Sequence, residues 1–392
     1  MKFRILKKKD FLRSLIIFLL SLSHSLTNAQ NSYFPPPGKW EKKDAKQMGF
    51  NKKVLDEAVA YALAHEYSGA RDLRIAILNG FSHEPYHRIL GPTKKRGGPA
   101  GMIIKNGYRV AEWGDIDRVD MTFSVTKSYL STIAGLGVDA GLFRINDKVV
   151  NSVWQGEFDG AHNEQIRWSH LLNQSSDWSG TLWGLHDWAD RPPKKGGIDD
   201  WKYRDLHPPG THYKYNDVRV NLLAYSLLHV WRQPLPVLLK NKIMNPIGAS
   251  STWRWFGYDN SWINMDGNWV QSVSGGGHSG GGLFISTVDH ARFGLLFLNQ
   301  GNWAGQQLIS KEWIDTAIQP SPANPSYGYL WWLNHPNHQR YVPEAGEKMF
   351  YAAGFGGNYI IVLPDQDMVI VTRWLEPSQF HTFVSKVLGS IR

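Results

Sequence analysis

No cysteine occurs in the 392 residues. Disulfides, thiolate nucleophiles, zinc–thiolate sites and cysteine-linked lipid anchors are therefore excluded. Long apolar runs are missing as well. The longest, around Leu15–Leu22, is well short of the roughly 20 residues that a spanning helix requires. The formal charge of +9 is concentrated at one end, where residues 1–29 hold six Lys or Arg against one Asp, a net +5 that leaves about +4 for the rest. Basic residues are not interleaved with aromatics in any recognisable module, so nothing here calls for nucleic acid. The same 29 residues run from a basic stretch through the apolar one to Thr27-Asn28-Ala29, the layout of a secretory signal cut after Ala29. The expectation is an exported protein, periplasmic or secreted, without a membrane span. Lacking disulfides, it depends on a hydrophobic core, which a chain of this length can bury.

Residues 30–97 read as an extended, solvated lead-in ("YFPPPGKWEKKDAKQ") and a first helix near Lys52–His65. From residue 98 to 390 the pattern is that of one domain. "AGMIIKNGYRVAEWGD" is a hairpin turning at Asn106-Gly107. "MTFSVTKSYLSTIAGLGVDAGL" has the small residues of a buried helix. A tryptophan-rich loop follows, then helices over "NDVRVNLLAYSLLHVWR" and "VDHARFGLLFLNQG", the latter capped at Ser286 or Thr287. Strands return in "MFYAAGFGGNYIIVLP" and "MVIVTRWL", and a helix from about Ser378 closes the chain. Strands at both ends with helices between predict an α+β fold. One antiparallel sheet is built from the N- and C-terminal strands, with flanking helices and an inserted all-α subdomain.

Two serines compete for chemistry. Gly277-His278-Ser279-Gly280-Gly281 spells G-x-S-x-G, the nucleophile elbow, with Asp365 and His381 downstream to complete a triad. An elbow needs a strand immediately before the serine and a helix immediately after. Here "GNWVQSVSGGG" reads as a poor strand, and glycines continue past the serine. Ser124 and Lys127 form the other motif, S-x-x-K. Residues three apart share a helix face, so the Lys127 amine can reach the Ser124 hydroxyl. Burial disfavours the charged amine, and the expectation is a lowered Lys127 pKa that lets it act as a base. A third element is Tyr215, presented from a loop in "PGTHYKYND" just before a helix near Val218. A phenol beside a lysine can take a proton from serine and return it to a leaving group. Asp217 reads as a cap of that helix and as a partner for Lys127.

Ser124, Lys127, Tyr215 and a late glycine-rich strand, in that order, resemble the class C β-lactamase-related serine hydrolases, whose fold is the β-lactamase/transpeptidase-like one. That group includes DD-peptidases, esterases and 6-aminohexanoate-dimer hydrolases. The resemblance covers residues 98–390 through "FSVTKS", "IRWSHLLNQSSDW", "PGTHYKYND", "GGGLFISTVDHARFG" and "YAAGFGGNYIIVLPDQDMVIV". It implies an acyl-enzyme on Ser124, proton transfer through Lys127 and Tyr215, and an oxyanion held by the N–H groups of Ser124 and Phe355, after Gly354. It implies neither a metal nor a cofactor, and gives Ser279 no nucleophilic role. His278 is a candidate substrate contact or a structural surface histidine. Ser176, Asp177, Trp178, Trp183 and Trp188 line the acyl pocket or pack the core. Two positions depart from the group's pattern. Its Tyr-x-Asn motif ends here in Asp217, and its Lys-Thr-Gly or His-x-Gly motif is Ala352-Ala353-Gly354. Without that cation and hydroxyl, a penicillin-like carboxylate loses a charge-assisted hydrogen bond of about 1.5–3 kcal/mol. The expected substrate is a small or peptide-like amide or ester. The rival reading is a non-catalytic penicillin-binding-like module that binds cell-wall peptide or a partner.

Overall fold

A computed structural model describes residues 33–392, and the secretory-signal reading of residues 1–29 falls outside them. Phe34–Arg392 form one compact unit. Helix α1 (Lys52–Ala64) is capped by the Asn51 side chain, and α2 (Leu73–Phe81) by Asp72. Strands β1 (Ala100–Lys105) and β2 (Tyr108–Trp113) turn at Asn106-Gly107, both with positive φ (52° and 82°), the backbone that a two-residue hairpin turn demands. A short strand β3 (Asp120–Met121) leads through a single 3₁₀ turn, Phe123–Val125, into helix α3 (Thr126–Asp139). Helix α4 (Asp217–Trp231) follows a long loop. Strands β4 (Arg254–Met265), β5 (Asn268–Val273) and β6 (Gly282–Ile285) precede helix α5 (Thr287–Leu298). The C-terminal part is β7 (Trp332–Leu333), β8 (Phe350–Gly354), β9 (Asn358–Leu363), β10 (Met368–Arg373) and α6 (Phe380–Leu388).

The main sheet runs β7-β8-β9-β10-β1-β2, antiparallel throughout. The two ends of the chain meet where Ala100 pairs with Arg373 and Lys105 with Met368. On one face α1 and α6 bury Phe50, Leu55, Phe383 and Val387 against Ile103, Ile361 and Ile370. Helix α5 packs against β9, β10 and β1. Its cap is Ser286, whose side chain accepts from the Asp289 N–H, as the sequence suggests. A second sheet, β3-β6-β4-β5, was not foreseen. The stretch read as a poor strand before Ser279 is the hairpin arm β5, which turns from β4 through Asp266-Gly267, both with positive φ (53° and 84°). That dipeptide was the overlooked hairpin signal.

Helix α3 is the axis of the molecule, with Thr126 through Gly137 all buried. Its polar side chains all but demand partners at that depth. Ser128 donates to the Leu330 carbonyl at 2.9 Å, and Thr126 accepts from the Leu283 N–H at 3.1 Å. Tyr129 bonds one ring nitrogen of His290, and Thr122 the other, so α3, α5 and the turn before Ser124 are tied together. Burial pushes the His290 pKa well below its usual value, so this imidazole stays neutral.

The loop from 174 to 216 is fastened by charge. Arg219, on the first turn of α4 and buried, reaches Asp177 at 2.8 Å and Asp187 at 2.9 Å, while Arg204 reaches Asp177 at 2.8 Å from the outer side. Asp177 therefore serves structure, and Trp178 is buried with it. Burial would push the Asp177 carboxyl up, but the two guanidiniums and the His207 N–H hold it well below the usual carboxylate range. Arg219→Ala leaves two buried carboxylates short of a cation. The expected loss is about 3–5 kcal/mol, read from equilibrium urea denaturation.

Candidate active site

The Phe123 backbone is left-handed (φ 50°), so the chain bends sharply before Ser124 and delivers it half-buried at the mouth of α3. One helical turn on, the Lys127 Nζ lies 2.8 Å from the Ser124 Oγ. The same Nζ is 2.5 Å from Asp217 Oδ1, and both side chains are almost completely buried. Asp217 is free to do this because it does not cap α4. The neighbouring Asn216 does, accepting from the Arg219 N–H at 3.0 Å, while its amide donates to the Asp187 carbonyl. The helix thus starts at Asp217, one residue before the expected point, and its first carboxylate turns inward.

The expected lowering of the Lys127 pKa is overturned by this pair. Burial does push the amine down, but the Asp217 carboxylate, with Tyr215 beside it, outweighs burial and Arg191 together, and the ammonium is held above its ordinary pKa. Asp217 shows the converse. Burial raises its carboxyl, and the Lys127 and Arg191 cations beside it hold it well below the usual carboxylate range. Lys127 is thus a cation at rest, and its N–H donates to Ser124.

Tyr215 stands over this pair, with Lys127 Nζ 4.7 Å from its ring centroid and its other flank stacked on Trp332. Gly354 ends β8 directly on the turn that carries Ser124. A Cβ there would lie 2.2 Å from the Thr122 carbonyl and 3.3 Å from the Ser124 nitrogen, so only glycine allows the approach. Phe355 follows, its ring packed among Tyr67, Phe81 and Phe123. His278 is no surface histidine. It is buried beside Phe81, donating from Nε2 to Glu84 Oε2 (2.6 Å) and accepting at Nδ1 from Arg191 (3.1 Å). Ser279, in contrast, is buried with neither candidate triad partner near it. His381 pairs with Glu344 and Asp365 with Lys348, both at exposed positions elsewhere.

Sequence reasoning missed three members of this cluster. Arg191 contacts Asp217 Oδ2 at 2.7 Å, Glu84 holds His278, and Gly276 covers the ion pair. Glu84, His87 and His278 gather their ligand atoms within 4.8 Å. The Glu84–His278 contact of 2.6 Å is nevertheless a hydrogen bond. Two ligands at about 2.0–2.1 Å from one tetrahedral ion stand about 3.3 Å apart. With Arg191 donating to the other ring nitrogen, the imidazole is already satisfied on both sides.

Comparison with known proteins agrees with this geometry. The family model described as Beta-lactamase matches residues 90–373. The chain belongs to the β-lactamase family. Solved structures of similar fold span hydrolases of several kinds at low identity. A family VIII carboxylesterase aligns with TM-score 0.54 at 16% identity over 76% of this chain and 92% of its own. EstCE1, described as a hydrolase with promiscuous acyltransferase activity, aligns with TM-score 0.55 at 14% identity over 88% and 98%. A Bacillus anthracis protein assigned provisionally as a 6-aminohexanoate-dimer hydrolase aligns with TM-score 0.51 at 16% identity over 74% and 77%. No curated protein matches the sequence itself. This family member is a serine hydrolase of antiparallel-sheet fold, and no helix of its described residues is long and apolar enough to cross a membrane.

Gly276 supplies a test of the ion pair's geometry. A Cβ at this position would lie 1.7 Å from Asp217 Oδ1 and 2.3 Å from Lys127 Nζ. Gly276→Ala must therefore displace both groups from Ser124. A shift of about 1 Å in such a constellation costs roughly 100-fold in rate. The expected result is a fall of that size in the acylation rate of Ser124, measured by time-resolved intact mass, with the circular dichroism spectrum retained.

Proposed function

We propose that this protein is an exported serine hydrolase that cleaves uncharged amides or esters through an acyl-enzyme on Ser124. The observation that carries the reading is the Lys127 ammonium, buried against Asp217 and 2.8 Å from the Ser124 hydroxyl. A binding module has no use for a hydroxyl held in this way.

Because Lys127 is already protonated, it cannot be the group that first removes the Ser124 proton. Tyr215 takes that role as a relay, its oxygen accepting the Ser124 proton while its own O–H proton passes to the leaving group. Its ring lies beside the cluster that holds Ser124, with Lys127 Nζ 4.7 Å and the Arg191 guanidinium 5.1 Å from the centroid. The Ser124 proton passes to the Tyr215 oxygen as Oγ bonds to the carbonyl carbon. The oxyanion is met by the N–H groups of Ser124 and Phe355. Collapse breaks the bond to the leaving group, which takes the O–H proton of Tyr215 and departs neutral. Water repeats the cycle on the acyl-serine, again through Tyr215.

Charge also argues for the substrate class. Lys127 and Arg191 are both engaged by carboxylates, and Ala352-Ala353-Gly354 supplies no cation beside Phe355. Tyr67, Phe81 and Phe123 around Phe355 offer apolar walls instead. A penicillin-like acid gains no ion pair here, so β-lactam turnover is expected to be slow.

Two measurements test the reading. Intact mass after exposure to a fluorophosphonate is expected to show one label on the wild type and on Ser279→Ala, and none on Ser124→Ala. Failure of all three to label puts the non-catalytic binding module first. The second is the pH profile of kcat/KM for Asp217→Asn. Removing the carboxylate leaves burial, the largest influence, and Arg191 opposed only by Tyr215, so the Lys127 pKa falls. With the cation required, the alkaline limb moves to lower pH. If the acid limb moves instead, Lys127 is the base, and an unchanged profile refutes the coupling.

A further inference from the structure

Asp217 has two carboxylate oxygens and two cations. Oδ1 faces Lys127 at 2.5 Å, and Oδ2 faces Arg191 Nη1 at 2.7 Å. Arg191 comes from the long loop before α4, 26 residues upstream of Asp217, where the backbone turns left-handed (φ 48°) to aim it inward. That φ is uncommon for any residue with a Cβ and persists only where its surroundings impose it. The surroundings here are specific. Nη1 also meets Asp190 Oδ1 at 2.5 Å, and the other Asp190 oxygen accepts the Asp217 backbone N–H. Asp190-Arg191 therefore grips Asp217 twice, by main chain and by side chain.

The far side of the guanidinium is fixed in turn. Nη2 donates to His278 Nδ1 at 3.1 Å, and because arginine has no acceptor, this imidazole nitrogen must be the unprotonated one. The proton sits on Nε2, which donates to the buried Glu84 at 2.6 Å. Glu84, His278 and Arg191 come from three separate segments and converge on one carboxylate. Three contacts of the Arg191 guanidinium are thus made within the protein, two of them to carboxylates.

We propose that Arg191 is the positioning residue of the active site, a guanidinium clamp that holds Asp217 against Lys127 and thereby sets the geometry at Ser124, with the Glu84–His278 pair as its brace. It rests on the hydrolase reading above. Lysine is a poor substitute, because a point charge cannot meet Asp190, Asp217 and His278 at once as the planar fork does.

The charged and titratable groups that bear on this position are Lys127, Asp217, Asp190, Tyr215, His278 and Glu84. Among them Arg191 is the cation that acts against the charge on Lys127. Removing Arg191 takes away that opposition but also releases Asp217, the stronger influence on Lys127, so the clamp predicts that the alkaline limb of kcat/KM moves to lower pH, the same sign as the Asp217→Asn shift. A limb that moves to higher pH means that Asp217 has stayed in place and overturns the clamp.

The experiment compares wild type, Arg191→Ala and Arg191→Lys by fluorophosphonate labelling rate and by kcat/KM on a p-nitrophenyl acyl ester, with and without added guanidinium at tens of millimolar. A positioning role predicts that Arg191→Ala labels about 100-fold more slowly. The deficit lies in kcat with KM little changed, the alkaline limb moves to lower pH, and guanidinium restores part of the rate and of the limb. Arg191→Lys recovers little. Should Arg191→Ala fail to fold, Arg191→Lys carries the test, with the same fall in kcat and the same rescue expected. A wild type that labels beside Arg191 variants within twofold of its rate, or beside variants whose loss lies wholly in KM with no pH shift, overturns the clamp alone. A wild type that does not label overturns the hydrolase reading and the clamp with it.

Discussion

The arrangement depends on one buried ion pair. Lys127 and Asp217 are brought together from helices that start 91 residues apart, and each is nearly inaccessible to water. Removing a carboxylate and an ammonium from water costs several kcal/mol per ion, and mutual attraction offsets that only with good geometry and further hydrogen bonds. The protein supplies both. Ser124 takes another Lys127 proton, the Asp217 main chain is held by Asp190, and its second oxygen is met by Arg191. The pair is therefore better understood as a device for placing the Ser124 hydroxyl than as a source of stability.

The scaffold explains how a charge cluster can be held so closely. Helix α3 is buried along almost its whole length, so the Ser124 turn at its start is held in place. The edge of the main sheet presses on that turn where Gly354 meets Thr122, and the His290 bridge ties it from the other side. Helix α4 is anchored by Arg219 to the loop that carries Arg191. Each element that contributes a polar group is thus fixed by something other than that group, which is what a preorganised site requires.

Much of this could be read from the sequence, and the parts that could not have a common cause. The β1–β2 turn, the Ser286 cap and the sheet made from both chain ends announce themselves through local chemistry: a dipeptide that needs positive φ, a hydroxyl before an acid, alternating apolar residues. Ser124 and Lys127 are one helical turn apart, so their contact is also local. The β4–β5 hairpin had such a signal in Asp266-Gly267, and it went unread because glycines and polar residues around it mask the alternation. Arg191 had none. It stands in an irregular stretch with prolines after it, and its meaning comes from Asp217 and His278, 26 and 87 residues further on. Glu84 is 194 residues from His278. Spacing carries no trace of such contacts, because only the tertiary fold creates them.

The direction of the Lys127 shift shows why residue type and burial together still do not determine chemistry. A buried lysine taken alone is easier to deprotonate. A carboxylate where the Tyr-x-Asn pattern has an amide reverses the sign, because attraction at 2.5 Å, with Tyr215 acting in the same direction, together exceeds the cost of desolvation. An additional anion at that place calls for an additional cation, and Arg191 supplies it from a loop outside the pattern. The late strand meanwhile lacks the cation that its counterparts use for substrate, so positive charge lies on the inner side of the site and none stands at Ala352-Ala353-Gly354. These two departures describe a single redistribution of charge. On the function proposed above, a site whose cations are each paired with a carboxylate favours an uncharged substrate, held by shape and apolar contact.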